Sequence, residues 1–205
     1  SRNLQGSGAV GGISNQGQIT ARDGGSIALL APSVSNDGVL RAQLGTVAMA
    51  AGDRVTLSAG ANGLLQVEVD PSTIGTLVEN KQLLVADGGQ VIMTGKAADA
   101  LSASVVSNTG TVQARTLQHK EGRILLLADM AHGTARIGGT LDASAPGGIN
   151  GGGNGGFIET SGAQVQVADG AQVTTRAVQG STGTWLIDPT DFSVHAGAGA
   201  QAASG

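Results

Sequence analysis

The chain has 205 residues, a formal net charge of −4 and no cysteine, which excludes disulfide bonds and thiolate metal sites. It contains 35 glycines but only one Trp, two Phe and no Tyr, which excludes a thick globular core built on aromatic side chains. No cluster of Lys or Arg would attract nucleic acid, and no apolar run is long enough for membrane insertion.

The first predicted elements repeat one phrase. Gly17 and Gly38 each follow an Asn by two positions, and each precedes an aliphatic residue by two positions and an Ala by four. Later copies of the phrase occur further along the chain. We predict that the aliphatic residues Ile19, Leu40 and Val112 form one interior row, with the Ala residues that follow them in a row beside it.

A second phrase begins with Asp-Gly-Gly and recurs at residues 23–31 and 87–95, with looser copies downstream. In both phrases the apolar residues fall at every second position, which is the periodicity of a β-strand. Asn-x-Gly and Asp-Gly-Gly favour tight corners between short strands. Because the phrases recur with a period of about 20 residues, we predict an all-β, right-handed parallel β-helix, a solenoid of roughly 8 to 10 turns.

One stretch departs from this alternation. In the segment near 70–83, Ile74, Leu77 and Val78 follow a Pro-Ser pair with a spacing of i, i+3, i+4. That spacing predicts a short helical or loop excursion here: an amphipathic helix of one or two turns that packs outside the solenoid or caps an excursion, with Asn80 as its C-cap.

Three further segments complete the predicted organisation. A second short helical or loop excursion is expected near 96–104, and a Gly-rich loop at 145–156. The β-helical segment is expected to span residues 1–194. Residues 195–205 are rich in Gly and Ala and are predicted to form a flexible tail.

Longer stretches of the chain resemble a known family. Residues 80–114, followed by "GGFIETSGAQV" at 155–165 and "GTWLIDPTDFSV" at 183–194, are similar to secreted exoproteins of two-partner secretion, the filamentous-haemagglutinin-like adhesins. The similar region lies at or just downstream of the secretion domain of those proteins. The resemblance implies a parallel β-helical filament, an outer-membrane transporter as export partner, and a role in adhesion.

Motifs for cofactors and metals are weak. Residues 6–11 and 151–156 match a glycine fingerprint of dinucleotide-binding proteins, but neither follows a buried strand and precedes a helix. His119, His132 and His195 are scattered without metal-ligand spacing. We therefore expect no cofactor and no metal ion.

Some parallel β-helices degrade polysaccharides with grouped carboxylates, so an enzyme is one alternative. The best candidates are Asp188 with Asp191, and His132 near Arg136. The two aspartates flank Pro189 and, by the family resemblance, belong to a structural motif. The His and Arg lie on one predicted strand instead of on adjacent turns. We therefore expect no enzymatic activity.

Other side chains are candidates for binding a glycan. Trp185 has the flat apolar surface on which a sugar stacks, although its aliphatic neighbours favour packing. Arg22, Arg41 and Arg115 lie at outward positions of the repeated phrases and could form a column for an acidic glycan. Exposed arginines that only increase solubility are the simpler interpretation.

The sequence thus predicts a structural and adhesive segment of a large protein that is secreted to the bacterial cell surface, with a role in cell adhesion and biofilm. The segment is expected to be monomeric, with no nucleic-acid partner and no membrane insertion. The alternative within the same exoprotein is a module that itself binds a glycan or protein of the host or matrix. A polysaccharide-degrading β-helix is the third and least favoured alternative.

Overall fold

The computed structural model describes residues 2–5, 11–60, 62–148 and 152–190. In these ranges the chain is nearly all-β, and one 3-10 turn, Ala100–Ser102, is the only helical element of the described residues. The strands form one antiparallel sheet of three strands and three parallel sheets of six strands each. The all-β prediction is confirmed, and the long parallel sheets are consistent with a parallel β-helix.

The strands are grouped by sheet as follows. The antiparallel sheet, called the outer sheet below, contains β1 (Arg2–Gln5), β8 (Arg54–Ala59) and β9 (Leu65–Asp70). The first parallel sheet contains β2 (Gly12–Asn15), β5 (Ser33–Asn36), β10 (Thr76–Asn80), β13 (Ser104–Asn108), β16 (Gly133–Ile137) and β19 (Gln164–Val167). The second contains β3 (Gln18–Thr20), β6 (Val39–Arg41), β11 (Leu83–Val85), β14 (Thr111–Gln113), β17 (Thr140–Asp142) and β20 (Gln172–Thr174). The third contains β4 (Ser26–Leu30), β7 (Thr46–Ala51), β12 (Gln90–Gly95), β15 (Arg123–Leu127), β18 (Phe157–Gly162) and β21 (Thr184–Pro189).

The chain visits the first, second and third parallel sheets in a fixed rotation, and we call each set of three consecutive strands a rung. Rung 1 consists of β2, β3 and β4, and rung 6 consists of β19, β20 and β21. Within the described residues there are six rungs, fewer than the roughly 8 to 10 turns predicted. The difference arises because the outer sheet and the loops use residues that an even spacing would assign to further turns.

Equivalent residues of successive rungs are paired. Ile19 pairs with Leu40, Leu40 with Leu84, and Leu84 with Val112, so the three residues of the predicted row lie in one row. The row has three additional members, Leu84, Leu141 and Val173. Leu40, Leu84 and Val112 are fully buried, whereas Ile19 in rung 1 is 39% exposed. Inward residues of all three sheets form one apolar cluster, in which aliphatic side chains take the place of aromatic ones.

A column of asparagines lies at the corner that follows the first parallel sheet. Asn15, Asn36, Asn80 and Asn108 are paired in register. The side-chain amides of the first three donate to the side-chain carbonyl of the next Asn, at 2.7 Å from Asn15 and at 2.8 Å from both Asn36 and Asn80. The amide of Asn108 donates to the backbone carbonyls of Gly110 and Thr140. Because these side chains are buried, the column satisfies polar groups that no water reaches.

The helix predicted near 70–83 is wrong. Thr76–Asn80 form β10, in which Thr76, Val78 and Asn80 are buried and the two residues between them are half-buried. The observed period is therefore two, and β10 pairs along its length with β5 and β13. Asn80 is a member of the asparagine column instead of a helix C-cap, because pairing with two strands outweighs a short apolar spacing.

The other predicted excursions have mixed outcomes. The segment near 96–104 contains the 3-10 turn, where the Asp99 carboxylate accepts hydrogen bonds from the amides of Leu101 and Ser102 at 2.9 Å each. Part of the Gly-rich segment 145–156 lies outside the described residues, and the predicted tail 195–205 lies wholly outside them.

The outer sheet was not predicted. It packs against the outward face of the third parallel sheet, where Val55 and Val69 form a second apolar cluster with Ala50. Strands β7 and β12 are consequently buried on both faces. Asp53 donates its amide to the carbonyl of Asp70 at 3.3 Å, so the hairpin of β8 and β9 leaves and rejoins the rungs at one place.

Candidate functional site

The outward face of the third parallel sheet is covered over rungs 2 and 3 and open over rungs 4 to 6. Under the outer sheet, Ala48 and Ala50 are fully buried and Ile92 is 5% exposed. On β21, by contrast, Leu186 is 42% exposed. The same face of one sheet therefore passes from a covered to an uncovered state along the rungs.

We call the uncovered part the open face and define it by six outward residues: Arg123, Leu125, Leu127, Phe157, Glu159 and Leu186. Their strands pair in register, so that Arg123 lies beside Phe157, and Leu125 and Leu186 lie on either side of Glu159. Leu125, Leu127 and Phe157 are half-buried. The open face is therefore mixed, with the Glu159 carboxylate between two leucines and Arg123 beside Phe157. Partly exposed apolar side chains next to charged ones are the kind of surface at which partners bind.

These side chains point outward because of the strand period. On β15, Ile124 and Leu126 are fully buried in the interior, so the residues between them must lie on the other face. Residues 124–127, which follow Arg123, read Ile-Leu-Leu-Leu, an apolar run in which polar and apolar residues do not alternate. Such a run indicates a strand with two apolar faces, and this signal could have located the open face from the sequence.

A shallow depression lies at one end of the open face. It has a volume of about 360 Å³ and is lined by Glu121, Gly122, Arg123 and Phe157. The Arg123 guanidinium lies over the Phe157 ring, 5.6 Å from the centroid. Glu121 accepts a hydrogen bond from the side-chain amide of Asn154 at 3.0 Å. The depression thus combines an aromatic ring, a cation and a carboxylate, which are groups that can contact a sugar or a peptide.

The candidate pair of His132 and Arg136, which the sequence already disfavoured, is not brought together. A second depression of about 210 Å³ includes His132 among its lining residues but not Arg136. The His132 backbone amide donates to the Asp129 carboxylate at 2.8 Å, and Arg136 donates to Gln166 at 3.3 Å. Four residues of extended chain separate them by about 13 Å, too far for joint acid–base chemistry on one bond.

The acidic pair is only partly described. Asp188 is exposed on β21, where it pairs with Ser161. Asp191 lies outside the described residues.

Trp185 belongs to the interior. It pairs with Ile158 and packs against the main apolar cluster. Its indole N–H donates to the Thr160 hydroxyl at 3.1 Å, so the polar atom of the ring is satisfied within the protein. This geometry is that of a packing residue. The aromatic side chain of the open face is Phe157.

The three arginines do not form a column. Arg41 pairs with Thr20 and Val85, so no arginine lies beside it in the sheet. Arg115 donates a hydrogen bond to the Asp87 carboxylate at 3.0 Å, and that hydrogen bond raises the pKa of the Arg115 guanidinium. An arginine committed to a buried Asp serves the fold and is not available to an acidic glycan.

The glycines of the described part of 151–156 serve as corner residues. The amide of Gly155 donates to the carbonyl of Ser181 at 2.9 Å, and that of Gly156 donates to the carbonyl of Ala143 at 2.7 Å. Both donors are thus engaged within the protein. Residues 6–10 of the other glycine motif, and Gly151, lie outside the described residues.

No protein-family model and no curated protein matches the chain. In the described residues, no group of three or more His, Asp or Glu side chains is placed to hold a metal ion. Nor does any helix of these ranges have the length and apolarity needed to cross a membrane.

Proposed function

We propose that this chain is a right-handed parallel β-helical segment of a large secreted bacterial adhesin, exported to the cell surface by an outer-membrane two-partner secretion transporter. Its proposed role is mechanical: the segment holds a binding region away from the cell. In this proposal the rungs carry no catalytic site. The observation that supports this best is the unbroken pairing of three parallel sheets over six rungs. Few folds other than a stacked solenoid use such pairing in a fixed rotation.

The physical basis is that each rung is stabilised by its neighbours. The aliphatic rows and the asparagine column continue from rung to rung, so stability accumulates with length and no thick core is required. Small side chains keep the cross-section narrow. By the resemblance of residues 80–114 and 183–194 to the adhesin family, the unfolded chain would pass the transporter and fold outside the cell.

Expression of the full-length protein with and without its transporter tests the proposal. We expect surface exposure only with the transporter, measured by protease accessibility on intact cells. Electron microscopy should show a fibre, and removal of the six rungs should shorten it by about 29 Å, at about 4.8 Å per rung. A compact full-length particle, or transporter-independent exposure, would contradict the proposal.

The second candidate function is recognition of a host or matrix glycan by this segment itself. The depression that contains Arg123 and Phe157 favours it, because a half-buried ring at the wall of a depression, beside charged groups, is a usual surface for sugar contacts. A glycan array tests this candidate with the wild-type segment and with Phe157→Ala. The control is Val178→Ala, at an exposed residue that does not line the depression. Binding that is lost only with Phe157→Ala supports recognition; absence of binding to every glycan removes this candidate.

A further inference from the structure

The outer sheet ends in a strand edge that faces the open face. The strand order is β1, β8, β9, and in the described part of the chain β9 pairs with β8 alone. Strand β9 contacts β7 and β12 of rungs 2 and 3. Its second edge therefore points toward rung 4, where the open face begins.

The backbone direction of this edge can be derived from Leu65. Its N–H donates to the Thr46 hydroxyl at 3.0 Å and its carbonyl accepts from the Gln90 side chain at 2.5 Å, so both groups point away from β8. In an antiparallel pair these directions alternate with a period of two. Val67 and Val69 therefore direct their N–H and C=O groups to the same edge as Leu65.

The two layers have matching dimensions. Neighbouring strands of a sheet lie about 4.8 Å apart, which is also the spacing between rungs. Because β9 lies over both β7 and β12, a strand added beside it would lie over β12 and β15, next to the outward Leu125 and Leu127. Its inward side chains would cover the half-buried leucines and its backbone would pair with β9.

We propose that β9 and the open face together bind an extended peptide segment of a partner protein, which adds as a fourth strand to the outer sheet. The inference goes beyond the proposed function and does not depend on export or adhesion.

The charge pattern specifies the partner's residues. The solvent-side residues of β9 are Gln66, Glu68 and Asp70, all exposed. Asp70 lies 3.7 Å from the Arg54 guanidinium, which leaves Glu68, within the described residues, as the carboxylate without a salt bridge on this strand. Opposite charges on neighbouring strands stabilise a pair and like charges destabilise it. The segment that fits alternates apolar residues, facing Leu125 and Leu127, with Lys or Arg beside the carboxylates.

A labelled peptide of four Lys-Val repeats is the probe, and fluorescence anisotropy with the full chain measures its binding. A Glu-Val peptide of the same length is the control. We expect the Lys-Val peptide to bind, Leu127→Asp to weaken it by more than about tenfold through lost apolar contact, and Glu68→Lys to weaken it by about threefold. Leu83→Asp, at a half-buried outward site of the second parallel sheet, should leave binding unchanged.

Amide hydrogen exchange of the wild-type complex reports on strand addition directly, without a variant whose folding is in question. We expect the bound peptide to protect the amides of Val67 and Val69. Circular dichroism verifies that each variant keeps its β content. The proposal is overturned by no binding of the Lys-Val peptide, by equal binding of the Glu-Val peptide, by binding without protection of β9, or by a dimer of the chain that occupies this edge.

Discussion

The side-chain amide of Asn36 donates to the side-chain carbonyl of Asn80 at 2.8 Å, although 44 residues separate them in the chain. Both residues are fully buried. Asn36 also donates to the backbone carbonyl of Gly38 at 2.9 Å, so the column is tied to the corner that each Asn precedes. A buried, fully paired polar column fixes the register between rungs. A slip by two residues, which keeps inward residues inward, would place the Asn36 amide beside Val78 instead of Asn80.

The first prediction concerns the middle of this column. Asn80→Ala should lower the free energy of unfolding by about 2–3 kcal/mol, because it removes the hydrogen bonds to both buried neighbours, Asn36 and Asn108. Asn15→Ala, at the end of the column in rung 1, should lower it by about 1 kcal/mol, since only one buried partner is lost. Urea unfolding followed by circular dichroism measures both. Equal losses at the two positions would contradict the assignment of two column partners to Asn80 and one to Asn15.

The second prediction concerns two glycines in corners. A Cβ at Gly122 would overlap the backbone of Ala114, whereas a Cβ at Gly170 would meet no atom within 4 Å. Gly122→Ala should therefore destabilise the protein by about 3 kcal/mol or more, because backbone must shift. Gly170→Ala should be neutral or stabilise it by up to about 1 kcal/mol, because it restricts the unfolded chain. Thermal unfolding distinguishes the two, and similar melting temperatures would contradict the corner packing.

The third prediction concerns the pair of Asp87 and Arg115. Asp87 is 5% exposed and accepts hydrogen bonds from Gln113 and from both the backbone and the guanidinium of Arg115. Arg115→Ala should lower the free energy of unfolding by about 1–3 kcal/mol, since the carboxylate stays buried with fewer donors. Arg22→Ala, at an exposed site, should change it by less than about 0.5 kcal/mol.

The pH dependence of this pair has a definite sign. The Asp87 hydrogen bond raises the pKa of Arg115 above its ordinary value. A cation with a raised folded pKa contributes stability that is present below its unfolded pKa and is lost only as pH rises through the folded pKa. The difference between wild type and Arg115→Ala should thus stay constant from neutral to moderately alkaline pH. A difference that disappears in that range would assign it to another group.

The interior rows were predictable from the sequence, whereas the outer layer was not. The row that contains Ile19 and Leu40 follows from the glycine-flanked phrases. In each phrase the apolar residues occupy every second position, so only one face of the strand can be buried. The helix prediction failed at Leu77 and Val78 because an apolar spacing over so few residues does not separate a helix from a strand paired on both sides. The open face depends on which rungs the outer sheet covers, a tertiary relationship that no local pattern contains.

The fourth prediction tests the two-layer arrangement through side chains. Val69 is 4% exposed between the outer sheet and the third parallel sheet, and its neighbour Glu68 is exposed. Val69→Ala should lower the free energy of unfolding by about 1.5 kcal/mol, because it removes two buried methyl groups. Glu68→Ala should have an effect below about 0.5 kcal/mol. Urea unfolding compares them, and equal effects would contradict the packing of the outer sheet on the rungs.

The fifth prediction tests the same arrangement by removing the hairpin. Because Asp53 and Asp70 are joined by a backbone hydrogen bond, residues 54–70 can be replaced by Gly-Gly without separating the ends. The parallel sheets should remain, since their pairs do not involve β8 or β9. Ala50 and Ile92 should become exposed, which lowers the unfolding free energy by about 2–4 kcal/mol and increases binding of a hydrophobic dye. Loss of the whole β signal in circular dichroism would show instead that the rungs require the outer sheet to fold.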